Sequence, residues 1–391
     1  MKTFFVFLIS ISMAFSNPIE QPRDNKVVLG NERLISEYNQ LIDSKNIGVI
    51  TNQTGVDSLG QNTFEKLYNY ENTNLVAIYT PEHGLDGLTP AGKYVESYTD
   101  SNMNIPVYSL YGKTRMPSED MLKSIDVLIF DIQDIGSRTY TYISTLNYCM
   151  IAAQKYNKQI VVLDRPNPIG ANKVEGFVLE DRYKTFVGVD NLPMSHGMTA
   201  GELAKYFNRN IGANLTVIPM LNYNRDMIYQ DTNLPWRMTS PNIPTIKSAF
   251  GYMATGIGEG TGIGQGDKFT WIGGKGIDSN KFAQLLNNSS LEGVEFIAEN
   301  KGDKGGVRLN ITDYHKFNPC RVGTYALTYA HDLTNFKVPK SGKNIIMFEK
   351  IMGTSKYGKM LEMGYTPEQI VDSYQEDLNK FKVEREKYLI Y

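Results

Sequence analysis

The sequence is poor in cysteine and in excess charge, and both shortages restrict what the protein can be. Two cysteines, Cys149 and Cys320, stand in a chain of 391 residues, which excludes a disulfide framework or a cysteine zinc site. The formal net charge of −2 argues against nucleic acid or an anionic membrane surface as the main partner. Beyond the first residues, no apolar run reaches the ~20 residues that a membrane helix needs.

Several catalytic motifs are also missing. The sequence contains no G-x-x-x-x-G-K-[ST], no G-x-S-x-G and no H-E-x-x-H, which disfavours a P-loop enzyme, a nucleophile-elbow hydrolase and a zinc protease of that type. The glycines of residues 256–266 alternate without forming the dinucleotide motif G-x-G-x-x-G. We expect this glycine-rich segment to turn sharply or to bring backbone close to a ligand.

The first 16 residues have the features of a secretion signal. Lys2 precedes an apolar run over residues 4–15, and Ala14-Phe15-Ser16 has the small-x-small form of a cleavage site. The run is too short to span a bilayer. We therefore predict a signal peptide over residues 1–16 and a mature protein that is exported to the periplasm or the extracellular space.

Short apolar runs alternate with helical patterns over the first half of the chain. Strands are predicted at residues 47–50, 75–79, 106–110, 127–130 and 160–163. Apolar strands separated by helices predict an α/β fold with a Rossmann-like, doubly wound and mainly parallel sheet. We assign this domain to residues 27–190, and residues 191–391 to a second, smaller α/β domain that closes a cleft. In the second domain, Thr199 and Glu202 have the spacing of a capping box.

Polar residues follow most of the predicted strands, at the edge where open parallel sheets bind their ligands. This set comprises Asn52, Glu82, His83, Tyr111, Asp131, Gln133, Asp134, Asp164, Arg165 and Asn167. Any one of them could instead cap a helix or a turn. Their concentration at one edge favours a functional site.

Glu82 is the strongest candidate for a catalytic acid. It lies between Pro81 and His83-Gly84, where the backbone cannot continue as a regular strand or helix. A rigid turn of this kind could hold a proton donor. The alternative is a structural glutamate that caps a helix or pairs with Arg138 or Arg165.

Six motifs, taken together and in this order, are similar to those of a known family. They are residues 47–55 (IGVITNQTG), 81–84 (PEHG), 108–115 (YSLYGKTR), 130–138 (FDIQDIGSR), 163–168 (LDRPNP) and 196–202 (HGMTAGE). The sequence thereby resembles the NamZ-type exo-β-N-acetylmuramidases, also known as YbbC-like proteins, over nearly the whole mature chain.

The resemblance implies an exo-acting glycoside hydrolase that removes N-acetylmuramic acid from the non-reducing ends of peptidoglycan fragments. It also implies a cleft between a Rossmann-like and a smaller domain, a catalytic glutamate at Glu82, and no metal or organic cofactor. Peptidoglycan fragments or muropeptide sugars would be the partners, with no nucleic acid and no stable membrane span.

Four positions depart from the family pattern. Asp86 stands where an arginine usually follows Glu-His-Gly, and Gly262, Gln265 and Asp267 replace residues of a glycine-rich Glu-Gly-Thr-Asn motif and its continuation. Arginine suits a carboxylate, and muramic acid carries one on its lactyl group. We therefore expect weaker recognition of that carboxylate, a related amino sugar as substrate, or a divergent member.

The glycosidase hypothesis needs two carboxyl groups. We predict Glu82, Asp131 and Asp134 as catalytic residues. The predicted substrate-binding residues are Asn52, His83, Tyr111, Gln133, Arg138, Asp164, Arg165, Asn167, His196 and Glu259. A non-catalytic binding protein for cell-wall sugars is the main alternative, and a metal-dependent hydrolase using His83, Asp131 and Asp164 is the other.

Overall fold

The computed structural model describes residues 26–391, so the predicted signal peptide lies outside the described residues. The first domain is built on a seven-stranded sheet in the order β3-β4-β2-β1-β5-β6-β7. Its strands are β1 (Asn46–Thr51), β2 (Asn74–Thr80), β3 (Tyr98–Thr99), β4 (Pro106–Ser109), β5 (Val127–Asp131), β6 (Gln159–Leu163) and β7 (Asn214–Ile218). All pairs are parallel except β3 with β4.

Helices cover both faces of this sheet, as predicted for a doubly wound fold. They are α1 (Gly30–Glu37), α2 (Thr63–Tyr68), α3 (Glu119–Leu122), α4 (Tyr142–Lys155) and α5 (Ala200–Ile211). Along β5, Ile129 packs with Leu34 of α1 in one core cluster, whereas Phe130 packs with Leu146 of α4 in another. Because successive strand residues point to opposite faces, a continuous apolar strand contributes side chains to the cores on both sides of the sheet.

The capping box predicted for α5 is confirmed. Thr199 accepts a hydrogen bond from the backbone N–H of Glu202, and the Glu202 carboxylate accepts one from the backbone N–H of Thr199. The helix ends at Gly212, whose φ of 69° is the left-handed conformation that glycine adopts at low cost.

The second domain carries a four-stranded antiparallel sheet in the order β10-β11-β9-β8. Its strands are β8 (Gly264–Gly266), β9 (Trp271–Lys275), β10 (Val294–Ala298) and β11 (Lys304–Ile311). Its helices are α6 (Ile246–Thr255), α7 (Ser279–Asn287), α8 (Pro319–Thr334), α9 (Met347–Met352), α10 (Lys356–Glu362), α11 (Pro367–Ser373) and α12 (Gln375–Arg385). Short 3₁₀ turns occur at Asn39–Leu41, Asp181–Tyr183, Tyr229–Thr232 and Glu386–Tyr388.

The first sheet extends beyond the boundary predicted at residue 190. Strand β7 pairs in parallel with β6, from Gln159 opposite Asn214 to Leu163 opposite Ile218. The segment that follows residue 190 therefore contributes α5 and β7 to the first domain. Without β7, strand β6 would be an unpaired edge of the sheet.

The two domains share one continuous core. Leu146 of α4, Phe250 of α6 and Val307 of β11 belong to the same buried cluster. Cys149 is buried inside α4, and both cysteines are free thiols. Within residues 26–391, no helix combines the length and apolar character needed to cross a membrane.

Candidate active site

A cavity of about 710 Å³ lies between the carboxyl edge of the first sheet and the glycine-rich segment of the second domain. The first domain lines it with Glu82, Ala91, Gly92, Tyr111, Thr139, Thr141 and Val187. The main side chains from the second domain are Tyr252, Thr255, Glu259, Gln265, Phe269, Trp271, Lys304, Met347 and Ile351. Its volume falls in the roughly 300–1,000 Å³ range of small-molecule sites.

Glu82 is presented to this cavity by a sharp turn after β2. His83 and Gly84 both have positive φ, 76° and 82°, so the chain reverses directly after the glutamate. The side chain is 8% exposed. Its Oε1 accepts a hydrogen bond from the N–H of Gly92 at 2.8 Å, and its Oε2 accepts one from the Thr141 hydroxyl at 2.6 Å. Two donors from different loops fix the orientation of the carboxyl group.

Tyr111 lines the same wall beside Glu82. Burial raises the pKa of the Tyr111 hydroxyl, and the negative charge of Glu82 acts in the same direction. His83 has another role: its Nδ1 lies 2.7 Å from the Thr89 carbonyl oxygen, and its ring packs edge-on against Tyr142. His83 therefore holds the loop that follows Glu82 and is not among the lining residues.

Aromatic rings form the opposite wall. Tyr252 packs against Phe269 with ring centroids 5.0 Å apart and against Tyr140 at 5.7 Å. Burial raises the pKa of Tyr252 to about 12. The indole of Trp271 donates a hydrogen bond to the Glu299 carbonyl oxygen at 3.0 Å. Flat apolar faces with polar tips suit the binding of a sugar ring.

The glycine-rich segment contributes mainly backbone to the cavity, and it turns sharply, which is one of the two alternatives predicted for it. A Cβ at Gly258 would lie 2.2 Å from the Ile263 carbonyl oxygen, so the segment folds back on itself too tightly for a side chain there. Glu259 and Gln265 are exposed and reach the cavity.

Asp131 and Arg165, both predicted site residues, lie outside this lining. Arg165 binds Asp131 through Nε at 2.5 Å and through Nη2 at 2.9 Å. Asp131 Oδ2 also accepts from the Thr63 hydroxyl at 2.6 Å and from Asn31 at 3.2 Å. The side-chain oxygens of Asp131 are thus fully occupied by protein donors.

Asp164 anchors the N-terminus of α5. It accepts hydrogen bonds from the N–H of Gly201 at 2.7 Å, the Thr199 hydroxyl at 2.8 Å and the Tyr391 hydroxyl at 2.8 Å. Burial raises the pKa of the Asp164 carboxyl to about 7, and the charge of Glu202 adds to the shift. Asn167 is also occupied within the protein, since it donates to the Met198 carbonyl oxygen at 3.1 Å.

A second buried group surrounds Asp134. Its Oδ2 accepts from the N–H of Gly136 at 2.7 Å and lies 3.4 Å from Nε2 of His196. Gln133 donates to the carbonyl oxygens of Asp134 and Pro166, both at 2.8 Å. Asn52 accepts from the N–H and the hydroxyl of Thr54 at 2.9 and 2.6 Å. All four of these predicted residues are buried and none lines the main cavity, although Gln133 lines a much narrower one beside Arg165.

Arg138 is fully buried one layer behind the cavity wall. Its Nη2 donates to the carbonyl oxygen of Ile351 at 2.7 Å, near the end of α9, while Ile351 itself lines the cavity. Burial lowers the pKa of Arg138 to about 10. Neither Arg138 nor Arg165 pairs with Glu82, so the ion pair considered as an alternative role for that glutamate is wrong, whereas its bond to Thr141 does place it at the start of α4.

The residues considered for a metal site belong to separate networks. His83 binds a loop carbonyl, Asp131 pairs with Arg165, and Asp164 caps α5. Across residues 26–391, no three histidine, cysteine or acidic side chains are grouped so that they could hold a metal ion.

The departures from the family pattern fall in different places. Gly262 and Gln265 line the main cavity. Asp86 lines a separate cavity of about 490 Å³, together with Gln53 and Arg237. Asp267 forms ion pairs with Lys301 at 2.7 Å and with Arg308 at 2.5 Å. Neither aspartate faces the Glu82 cavity.

Several residues that line the cavity were not predicted from the sequence. Thr139 and Thr141 follow the 130–138 motif directly, so their closeness to that motif could have identified them. Tyr252 lies on a helix and Lys304 begins a strand in the other domain. Only the packing of the two domains brings these two residues to Glu82.

The fold and the cavity define a two-domain, Rossmann-like α/β protein with a carboxyl group held in an aromatic-walled cleft. The model for the N-terminal domain of exo-beta-N-acetylmuramidase NamZ matches residues 47–247, and the model for its C-terminal domain matches residues 250–391. The chain therefore belongs to the NamZ family of exo-β-N-acetylmuramidases, as predicted.

Individual relatives agree with this assignment. The chain is 40% identical to the peptidoglycan beta-N-acetylmuramidase NamZ of Bacillus subtilis strain 168, with both chains fully covered. A crystal structure of a DUF1343 family protein from Bacteroides fragilis NCTC 9343 has a TM-score of 0.85 at 35% identity, covering 95% of this chain and 100% of that one. A second such protein from the same organism has a TM-score of 0.71 at 29% identity, covering 94% and 99%. These similarities confirm the predicted fold class.

Proposed function

We propose that this protein is an exo-acting glycoside hydrolase that releases N-acetylmuramic acid from the non-reducing ends of peptidoglycan fragments. The observation that carries the proposal is the Glu82 carboxyl group, held by Gly92 and Thr141 in the wall of a sugar-sized cavity. The similar proteins also support the proposal, because both family descriptions and the Bacillus subtilis relative name a β-N-acetylmuramidase activity.

In this proposal Glu82 is the general acid. It gives its proton to the glycosidic oxygen as the bond to the anomeric carbon breaks, so that the leaving sugar departs as an alcohol. The hydrogen bonds from Gly92 and Thr141 restrict the carboxyl group to one orientation. A fixed donor contributes to rate because the geometry of proton transfer is set before the reaction starts.

The second carboxyl group is assigned to Glu259. Among the described residues, Glu82 and Glu259 are the acids that line this cavity. Glu259 is exposed and is free to approach a water molecule or the positive charge that develops on the sugar ring. Asp131 and Asp134, predicted from sequence for this role, are assigned to the buried framework because their contacts lie below the cavity.

The proposed site of action is outside the cytoplasmic membrane. Peptidoglycan fragments occur there, and the charged start and apolar run of residues 1–16 support export. Cell fractionation with N-terminal sequencing of the mature chain is the direct test, and an uncleaved cytoplasmic chain would contradict export.

The test of the activity uses a chromogenic β-glycoside of N-acetylmuramic acid and its N-acetylglucosamine analogue. We expect release from the muramic acid glycoside. A Glu82→Gln variant should lose about 10²–10⁴-fold in kcat, the usual contribution of general acid catalysis, while it still binds the sugar. Asp86→Asn is the matched control, because Asp86 follows the same strand but lines the other cavity.

Two outcomes would count against the proposal. If folded wild-type protein binds the sugar but releases no chromophore, it is a binding protein, the alternative raised by the two-lobed architecture. If Glu82→Gln retains wild-type turnover, the enzyme uses another acid.

A further inference from the structure

The charged side chains that line the main cavity are unevenly distributed. Glu82 and Glu259 are the acidic side chains, and Lys304 is the one basic side chain, among the described lining residues. We infer that Lys304 binds the lactyl carboxylate of muramic acid and so determines specificity for it against neutral amino sugars. This inference rests on the proposed function, because it assigns a residue to the substrate named there.

The position of Lys304 is fixed by the hairpin that starts β11. Its backbone N–H and carbonyl oxygen pair with those of Lys301 at 3.1 and 2.8 Å. Val307 and Leu309 of β11 point into the core. Because strand side chains alternate between faces, Lys304, Gly306 and Arg308 occupy the other face. Trp271, which lines the cavity, covers Gly306 on that face, since a Cβ at Gly306 would lie 2.4 Å from its indole ring.

Neighbouring cations on this sheet are already neutralised. Lys275 pairs with Asp303 at 2.6 Å, and Lys301 and Arg308 both pair with Asp267. Among residues 26–391, no carboxylate lies within 4.0 Å of the Lys304 ammonium group, and the adjacent Asp303 is paired with Lys275. The ammonium group of Lys304 can therefore bind a ligand carboxylate without first breaking an ion pair.

The nearby arginines do not line the cavity. The Arg115 guanidinium stacks on the rings of Tyr111 and Phe186, 4.5 and 4.2 Å from their centroids. Arg138 is fully buried behind Ile351. A cation is nevertheless needed, because the Glu259 carboxylate, proposed as the second catalytic group, would otherwise repel an anionic sugar. Lys304 can thus supply the positive charge that an anionic sugar needs at this cavity.

The test compares the binding of free N-acetylmuramic acid with that of its lactyl methyl ester by isothermal titration calorimetry. Both are monosaccharides with no bond for the enzyme to cleave, so binding is measured separately from turnover. We expect wild-type protein to bind the acid about tenfold more tightly than the ester, the effect of one charge-assisted hydrogen bond at a solvent-accessible site. This preference should weaken with added salt.

Lys304→Met should remove the preference for the acid while leaving the affinity for the ester unchanged, and Lys304→Arg should retain the preference. Lys281→Met is the control, since Lys281 carries the same charge at an exposed position of α7 in the same domain and does not line the cavity. Thermal unfolding checks that each variant is folded.

Equal binding of acid and ester by the wild type, no binding of the acid, or an unchanged preference in Lys304→Met would overturn the assignment. An equal loss in Lys281→Met would also overturn it, because the effect would then be one of general charge. Failure of the proposed function is a separate result: it would appear as absent release of chromophore from the glycoside, whatever the outcome of these titrations.

Discussion

Polar side chains follow the strands of the first sheet in two settings. The settings differ in which groups form hydrogen bonds with these side chains. Asp131 and Asp164 are buried and receive all their hydrogen bonds from the protein. Glu82 is held by one hydroxyl and one N–H, and it also faces an open cavity. A strand-end carboxylate therefore becomes available to a ligand only where the second domain leaves space in front of it.

The energetic consequences of the two settings are opposite. A buried charge without a partner is costly, so each member of the Asp131–Arg165 pair requires the other. Within residues 26–391 the carboxyl group of Glu82 forms no ion pair, and the role that we propose for it concerns the ligand. Substitutions in the two settings should therefore separate stability from activity.

The largest effect on stability is expected for Asp131→Asn. The amide cannot accept the donors of Arg165, Thr63 and Asn31 together, and it leaves the guanidinium of Arg165 buried without a counter-charge. We expect a loss of about 3–5 kcal/mol in the free energy of unfolding, measured by urea denaturation.

Glu82→Gln is the comparison for that measurement, and its free energy of unfolding should stay near the wild-type value. The distinction between the two settings fails if Asp131→Asn is as stable as the wild type, or if its folded fraction loses turnover as completely as Glu82→Gln does.

An intermediate effect on the free energy of unfolding is expected from the ionisation of Asp164, and it depends on pH. Its pKa is raised from 3.8 to about 7 in the folded protein, so the folded state binds this proton more tightly than the unfolded chain. Its contribution to stability is therefore fully present below pH 4 and is lost as pH rises to about 7. The stability of the wild type relative to Asp164→Asn should fall across this window and stay constant above it.

Urea denaturation of both proteins at a series of pH values measures that difference. A difference that is independent of pH between 4 and 7, or that rises with pH, would show that Asp164 is ionised throughout and that its hydrogen bonds outweigh its burial.

The smallest effect on stability is expected for Asp267→Asn. This aspartate is about half exposed, and its pairs with Lys301 and Arg308 lie at the surface, where ion pairs contribute little. We expect Tm to change by no more than about 2 °C. A larger decrease, seen by differential scanning calorimetry, would mean that this surface cluster supports the cavity wall as strongly as the buried pairs support the sheet.

Much of the first domain could be predicted because its signals are local. Continuous apolar strands ending in polar turns indicate a parallel sheet, and the spacing of Thr199 and Glu202 correctly indicated the start of α5. The placement of β7 beside β6 could not be read in the same way, because no local pattern shows which earlier strand will be its partner.

The candidate site was predictable to a lesser extent, and the reason is physical. Glu82 was identified because proline and glycine mark an unusual turn. The sequence could not separate it from Asp131, since both follow apolar strands. The distinction depends on whether Arg165 or a cavity lies opposite, and this is set by contacts between residues far apart in the chain.

The glycine-rich segment also has a consequence for protein engineering. A Cβ at Gly264 would meet no atom within 4 Å, and its φ is not in the left-handed range. This position borders the cavity, so larger side chains could be introduced there without backbone strain. A graded series at Gly264, from alanine to leucine, offers a way to narrow the cleft stepwise and to select among sugars by size.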